Sequence, residues 1–119
     1  MAGPADNAGS AEALLQALPP EVAALARAVR TRVLALGTLS EKVGLRELIY
    51  ALQAGGGAEV ARLQLRPGTV SRLIFADGAR EPIELSNLQA SATAAEAVRT
   101  RAEALAARAP QLSLFGRKP

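Results

Sequence analysis

The stretch AEVARLQLRPGTVSRLIFADGAREPIELS, residues 58–86, decides the fold class. Its apolar residues recur at every second position, the period of a strand whose side chains alternate between two faces. Ala61, Leu63 and Leu65 alternate with Arg62, Gln64 and Arg66. TVSRLIF follows, rich in β-branched and aromatic residues, and REPIELS supplies a third short run. Pro67-Gly68 marks the first turn, with the fixed φ of proline and the freedom of glycine. Asp77-Gly78 marks the second. Pro82 places the third strand at an edge, because proline has no N–H to give a ladder. The result is a three-stranded antiparallel meander. A two-residue Pro-Gly loop would set Arg72 beside Leu63. A three-residue loop, Arg66 to Gly68, puts Leu63 and Leu65 on the face of Ser71, Leu73 and Phe75. Register follows the apolar face, so the longer loop is expected. It leaves Arg62, Arg66 and Arg72 together on the outer face, as candidate nucleic-acid contacts.

Upstream of this stretch the period lengthens. Residues 1–9 read as a small, polar, disordered leader. Ser10 caps a short helix over AEALLQAL, which Pro19-Pro20 ends. Pro20 then suits the first turn of a second helix, EVAALARAVRTRVLALG. Val22, Leu25, Val29 and Leu36 form its apolar stripe, with Ala26 and Val33 beside them and Arg27 and Arg32 off it. Gly37 stops it. A third helix, EKVGLRELIYALQA, is expected behind a Ser40 cap, weakened at Gly44 and ended by Gly55-Gly56-Gly57. Downstream, Thr93-Ala94-Ala95-Glu96 is a capping box opening a last helix, in which Arg99 and Glu103 pair four residues apart and Pro110 closes the run. The expected class is α+β: N-terminal helices, the meander, a C-terminal helix and a flexible tail. One domain is expected over 10–109, with a separate tail over 110–119.

The 119 residues allow one modest core. Only three are aromatic, so packing rests on Leu, Val and Ile. There is no Cys and no His. Disulfides and thiolates are excluded, as are the commonest general base and the commonest metal ligand. The chain has two Asp, scattered Glu and no Ser with a base partner. The glycine run lacks the Lys that a phosphate loop needs. Catalytic residues, metal ligands and cofactors are therefore not expected, and an enzyme is not the reading. Lys and Arg outnumber Asp and Glu by 14 to 11, and twelve of the fourteen are Arg. No signal peptide or membrane span is apparent, so a cytoplasmic bacterial protein is expected.

The last ten residues are PQLSLFGRKP. A cluster of Leu112, Leu114 and Phe115 after a helix-ending proline has two explanations. One is a tail that folds back, since burying Leu114 and Phe115 is worth about 3–6 kcal/mol gross. The other is a short peptide with apolar anchors, a known mode of partner recognition. Gln111-Leu112-Ser113-Leu114-Phe115 resembles the pentapeptide by which bacterial replication and repair proteins bind the β-sliding clamp. The resemblance covers five residues. It implies that Leu114 and Phe115 plug an apolar pocket on the clamp and that Leu112 supports them. Gln111 hydrogen-bonds at a polar subsite, and Ser113 is the tolerant position. Arg117 and Lys118 would meet acidic clamp surface or DNA phosphate. The implied role is an accessory protein of DNA replication or repair, with DNA or another repair factor as further partner. The same contact serves recruitment to the clamp or its blockade.

Three other readings compete. One is a structural or oligomeric domain whose tail packs on itself. PGTVSRLI is also similar to the recognition helix of helix-turn-helix repressors, which implies that Thr69, Ser71 and Arg72 face DNA. The helix, three strands, helix order resembles double-stranded RNA-binding domains, but the matching helix start, Thr93 to Glu96, has no Lys.

Overall fold

The computed structural model describes residues 11–53, 57–66, 70–78 and 80–117, without the side chains of 77 and 108–117. Strand alternation extends well beyond 58–86. Five strands form one antiparallel sheet: β1 (Leu39–Val43), β2 (Glu47–Leu52), β3 (Glu59–Gln64), β4 (Arg72–Phe75) and β5 (Ile83–Glu84). Their spatial order is their chain order, a simple meander. Three helices complete the fold: α1 over 11–16, α2 (Pro20–Leu34) and α3 (Leu88–Arg117). The α+β class is as the sequence implies. The leader and the Pro67-Gly68 turn lie outside the described residues.

The expected helix over EKVGLRELIYALQA is instead the β1–β2 hairpin. Leu48, Tyr50 and Leu52 are buried at every second position, paired with Val43, Glu41 and Leu39. Ser40 lies within β1 and caps nothing. A helical reading would scatter these residues around a cylinder, whereas the strand gathers all of them on the core face. Gly44 is the turn's signature. Its N–H donates to the Glu47 carbonyl at 2.8 Å. A Cβ there would stand 2.9 Å from Glu47 Cγ.

In the β3–β4 pair the expected faces hold. Leu63 faces Leu73 and Ala61 faces Phe75, with Ser71 buried beside them. The register lies two residues on from the one that a loop of Arg66–Gly68 gives. The Ser71 hydroxyl accepts the Arg66 N–H at 3.0 Å, closing the ladder past the end of β3. One bulge, at Val60, lets both Val60 and Ala61 face inward.

The last three residues of PGTVSRLI, Arg72 to Ile74, lie in β4, so the helix-turn-helix reading is overturned. Thr69 lies outside the described residues. The double-stranded RNA-binding reading also fails, since five strands separate the helices.

Both long helices sit on the inner face of the sheet, packed on one another. The buried residues of α2 are Ala23, Ala26, Val29 and Val33. Val22, Leu25 and Leu36 are only half-buried, so the core stripe is turned one position from the expected one. The reason is the partner helix. α3 buries Ala94, Ala95, Ala97, Val98 and Ala102, and small residues on both sides let the backbones come close. The Ser91 hydroxyl of α3 donates to the Leu25 carbonyl of α2 at 3.0 Å.

α3 starts at Leu88, ahead of the expected capping box. Asn87 is the cap, its Oδ1 accepting the Ala90 N–H at 2.8 Å. Thr93 lies inside the helix, where its hydroxyl is not needed for a terminus. At the other end the helical backbone runs past Pro110 to Arg117. The proline there removes one helical hydrogen bond from the run.

Candidate functional site

The outer face of the sheet carries two of the three arginines that the sequence proposed, Arg62 and Arg72. Strand pairing builds it in rows. Lys42, Ile49, Arg62 and Ile74 lie across four strands, and Glu47, Gln64, Arg72 and Glu84 lie beside them. Arg62 is spent within the protein. Its guanidinium reaches Glu59 at 2.6 Å and Glu47 at 3.0 Å. That pairing holds the Glu59 carboxyl below its ordinary range, the hydrogen bond from Arg62 being the main cause and burial opposing it. Arg72 donates its Nε to Gln64 Oε1 at 3.0 Å. Arg66 lies past the end of β3. Lys42, Arg62 and Arg72 are matched on this face by Glu47, Glu59 and Glu84. The face is solvated and electrically balanced, and the three arginines do not form a free basic patch.

The tail residues divide. Gln111 to Phe115 and Arg117 have a helical backbone within α3, and their side chains are not described. Lys118 lies outside the described residues.

The inner face holds one polar network. Glu41 of β1 receives Arg30 of α2 through two hydrogen bonds, at 2.8 and 3.0 Å. Tyr50 of β2 donates to the same carboxylate at 2.8 Å. Tyr50 is fully buried. Burial pushes the Tyr50 hydroxyl far above its usual value, with the Glu41 charge and hydrogen bond adding to it. The bond to Glu41 raises Arg30 in turn, against burial. Both carboxylate oxygens are occupied, so this cluster fastens α2 to the sheet and offers no open position to a substrate.

A different cluster was not evident in the sequence. A groove of about 670 Å³ opens between the end of α2, the middle of α3 and the end of β4. Arg32, Arg80 and Arg101 line it, with Phe75, Thr93 and Thr100. Arg80 lies over the Phe75 ring, 5.9 Å from its centroid. Arg101 carries a buried Nε with no hydrogen-bond partner among the described residues. The groove's carboxylate, Glu96, is held by Arg99, which also takes Glu103 at 2.9 Å. Arg32 showed only as a residue off the apolar stripe of α2. Its two companions come from elsewhere in the chain, and no spacing joins them.

Among the described residues no group of three His, Cys, Asp or Glu could hold a metal ion. Nor is any helix there long and apolar enough to cross a membrane. No known protein family, curated protein or solved structure matches this chain.

Proposed function

We propose that this chain is a small, non-enzymatic adaptor of bacterial DNA replication or repair, acting in the cytoplasm and binding the sliding clamp through Gln111–Phe115. The single observation that carries the reading is the pentapeptide QLSLF. Pro110, immediately before the motif, supports it. Proline cannot donate to the carbonyl four residues back and costs a helix interior about 3 kcal/mol. The helix is therefore weakest just before Gln111, where an extended clamp-bound peptide has to part from it. Ordering that peptide limits the affinity, and binding of about micromolar strength per site is expected.

The rival reading, a tail that packs on its own domain, has one observation in its favour. The helical backbone continues to Arg117. In a helix Leu112 and Phe115 share a face, three residues apart. Calorimetric titration of the full chain into a bacterial sliding clamp separates the two. The double variant Leu114→Ala with Phe115→Ala should abolish binding and leave the melting temperature unchanged. Absent binding, with a variant that melts several degrees lower, refutes the adaptor reading.

A further inference from the structure

We propose that the groove lined by Arg32, Arg80 and Arg101 binds the sugar–phosphate backbone of single-stranded nucleic acid. The inference stands on the groove and not on the C-terminal motif. Three guanidiniums from three separate elements converge there: Arg32 from the last turn of α2, Arg80 from the loop after the Ala76–Gly78 turn, and Arg101 from α3. Among the described residues none of the three is in an ion pair, whereas Arg27, Arg30, Arg62 and Arg99 all are. The carboxylate among the described groove residues, Glu96, is taken by Arg99.

Each arginine is poised for an anion. Arg80 stands over the Phe75 ring, its guanidinium carbon 5.9 Å from the centroid, a cation–π placement that needs none of its N–H donors. Among the described residues Arg101 has a buried Nε–H without an acceptor, and such a donor calls for an explanation in a folded protein. A phosphate oxygen in the groove supplies that acceptor. Thr93 and Thr100 are exposed on the α3 wall and add two hydroxyl donors.

The shape selects among anions. The groove is open and follows α3 from Ala92 to Ala104, about 18 Å at the helical rise. Cations strung along an open channel suit an extended polyanion better than one enclosed phosphate. A phosphodiester chain carries a charge on every unit, whereas a peptide does so only in an acidic run. A groove of about 670 Å³ is far too small to take a duplex and suits a single backbone. The lining is mainly Ala, Thr and Arg, and its aromatic ring, Phe75, is only 3 % exposed. Bases have no platform to stack on, so recognition is of the backbone and independent of sequence.

The test is fluorescence anisotropy of a labelled dT oligonucleotide of about twenty residues with the full chain, between about 50 and about 200 mM salt. Binding should weaken steeply with salt. Arg32→Glu with Arg80→Glu, both at exposed positions, should lower affinity at least about tenfold and flatten the log–log salt slope by about 1.4, at about 0.7 per lost phosphate contact. Thermal melting checks that the variant is folded. Arg62→Ala with Arg72→Ala, and Leu114→Ala with Phe115→Ala, should each bind the oligonucleotide as the parent does. The second of these keeps a failure of the clamp reading separate from a failure here. The proposal is overturned by no binding at the low salt, by an unaffected Arg32→Glu/Arg80→Glu variant, or by tighter binding of duplex than of single strand. Displacement of the oligonucleotide by polyglutamate at equal charge also overturns it, assigning the groove to acidic peptides instead.

Discussion

Replacing Tyr50 with Phe removes one hydroxyl from the interior of the sheet and nothing else. That hydroxyl is fully buried and donates to Glu41 at 2.8 Å. A hydrogen bond to a charged acceptor contributes about 1.5–3 kcal/mol. Glu41 keeps both bonds from Arg30, so the lower part of that range applies, about 2 kcal/mol at neutral pH. The pH dependence is sharper than the size. Burial first, then the charge of Glu41 and the bond to it, hold the folded hydroxyl protonated well above the ordinary phenol value. The unfolded chain loses this proton first, near pH 10. Stability from Tyr50 is therefore fully present below about pH 10 and falls by about 1.4 kcal/mol per pH unit above it. Tyr50→Phe has no such proton to lose. The parent's advantage of about 2 kcal/mol should vanish near pH 11.5. Urea unfolding of both proteins across this range measures the difference, in which all other titrations cancel. Tyr50 is the only Tyr and there is no Trp, so tyrosinate absorbance follows this one group directly. Tyrosinate forming near pH 10 in a chain that keeps its native circular dichroism would refute the reasoning, as would a pH-independent difference between the two proteins.

Two further substitutions probe the same architecture. Glu41→Ala strands the Arg30 guanidinium and the Tyr50 hydroxyl together and should cost about 3 kcal/mol in urea unfolding, more than Tyr50→Phe at every pH below about 10. Asn87→Ala removes the cap of α3 and should cost about 1 kcal/mol by the same assay, with Thr93→Ala near zero because Thr93 caps nothing.

The fold was legible where a face was one-sided and ambiguous where short runs fitted two periods. Residues 61–65 alternate Ala or Leu with Arg and Gln, and residues 72–75 alternate Leu and Phe with Arg and Ile, patterns that only a strand can bury on one side. Residues 47–52, Glu-Leu-Ile-Tyr-Ala-Leu, alternate as well, but Ile49 and Ala51 on the solvent face blur the pattern into a helical one. Gly44 was the available arbiter. A glycine in mid-helix is a cost, while one beside Leu45-Arg46 is the close approach that a hairpin needs. The rotation of the α2 stripe was not available at all. Ala23 and Ala26 become core residues because α3 brings its own alanines against them, and a single helix's pattern gives its larger side chains the greater weight.

Candidate sites divide in the same way. The QLSLF peptide is read in sequence because a linear motif carries its anchors side by side. Arginine is different, because its meaning depends on the acid it meets. Of the three outer-face residues chosen for their alternation, Arg62 meets Glu59 and Glu47, and Arg72 faces Glu84. The sheet thereby cancels its own charge. Arg27 is taken by Glu12, Arg30 by Glu41 and Arg99 by Glu96 and Glu103. With these pairs set aside, the arginines without an ion pair among the described residues and off the sheet's faces are Arg32, Arg46, Arg66, Arg80 and Arg101, and three of those five line one groove. A chain with a net charge of only +3 can thus present a concentrated positive field, because pairing elsewhere removes the opposing carboxylates. Composition gives the size of the excess. The fold decides where it collects, and here it collects against α3, the helix that continues into the clamp-like peptide. From Ala104 to Gln111 is seven residues, about 10 Å along a helix and no more than about 25 Å fully extended. A strand held in the groove and a partner held by the peptide would then be close enough for each contact to raise the effective concentration of the other.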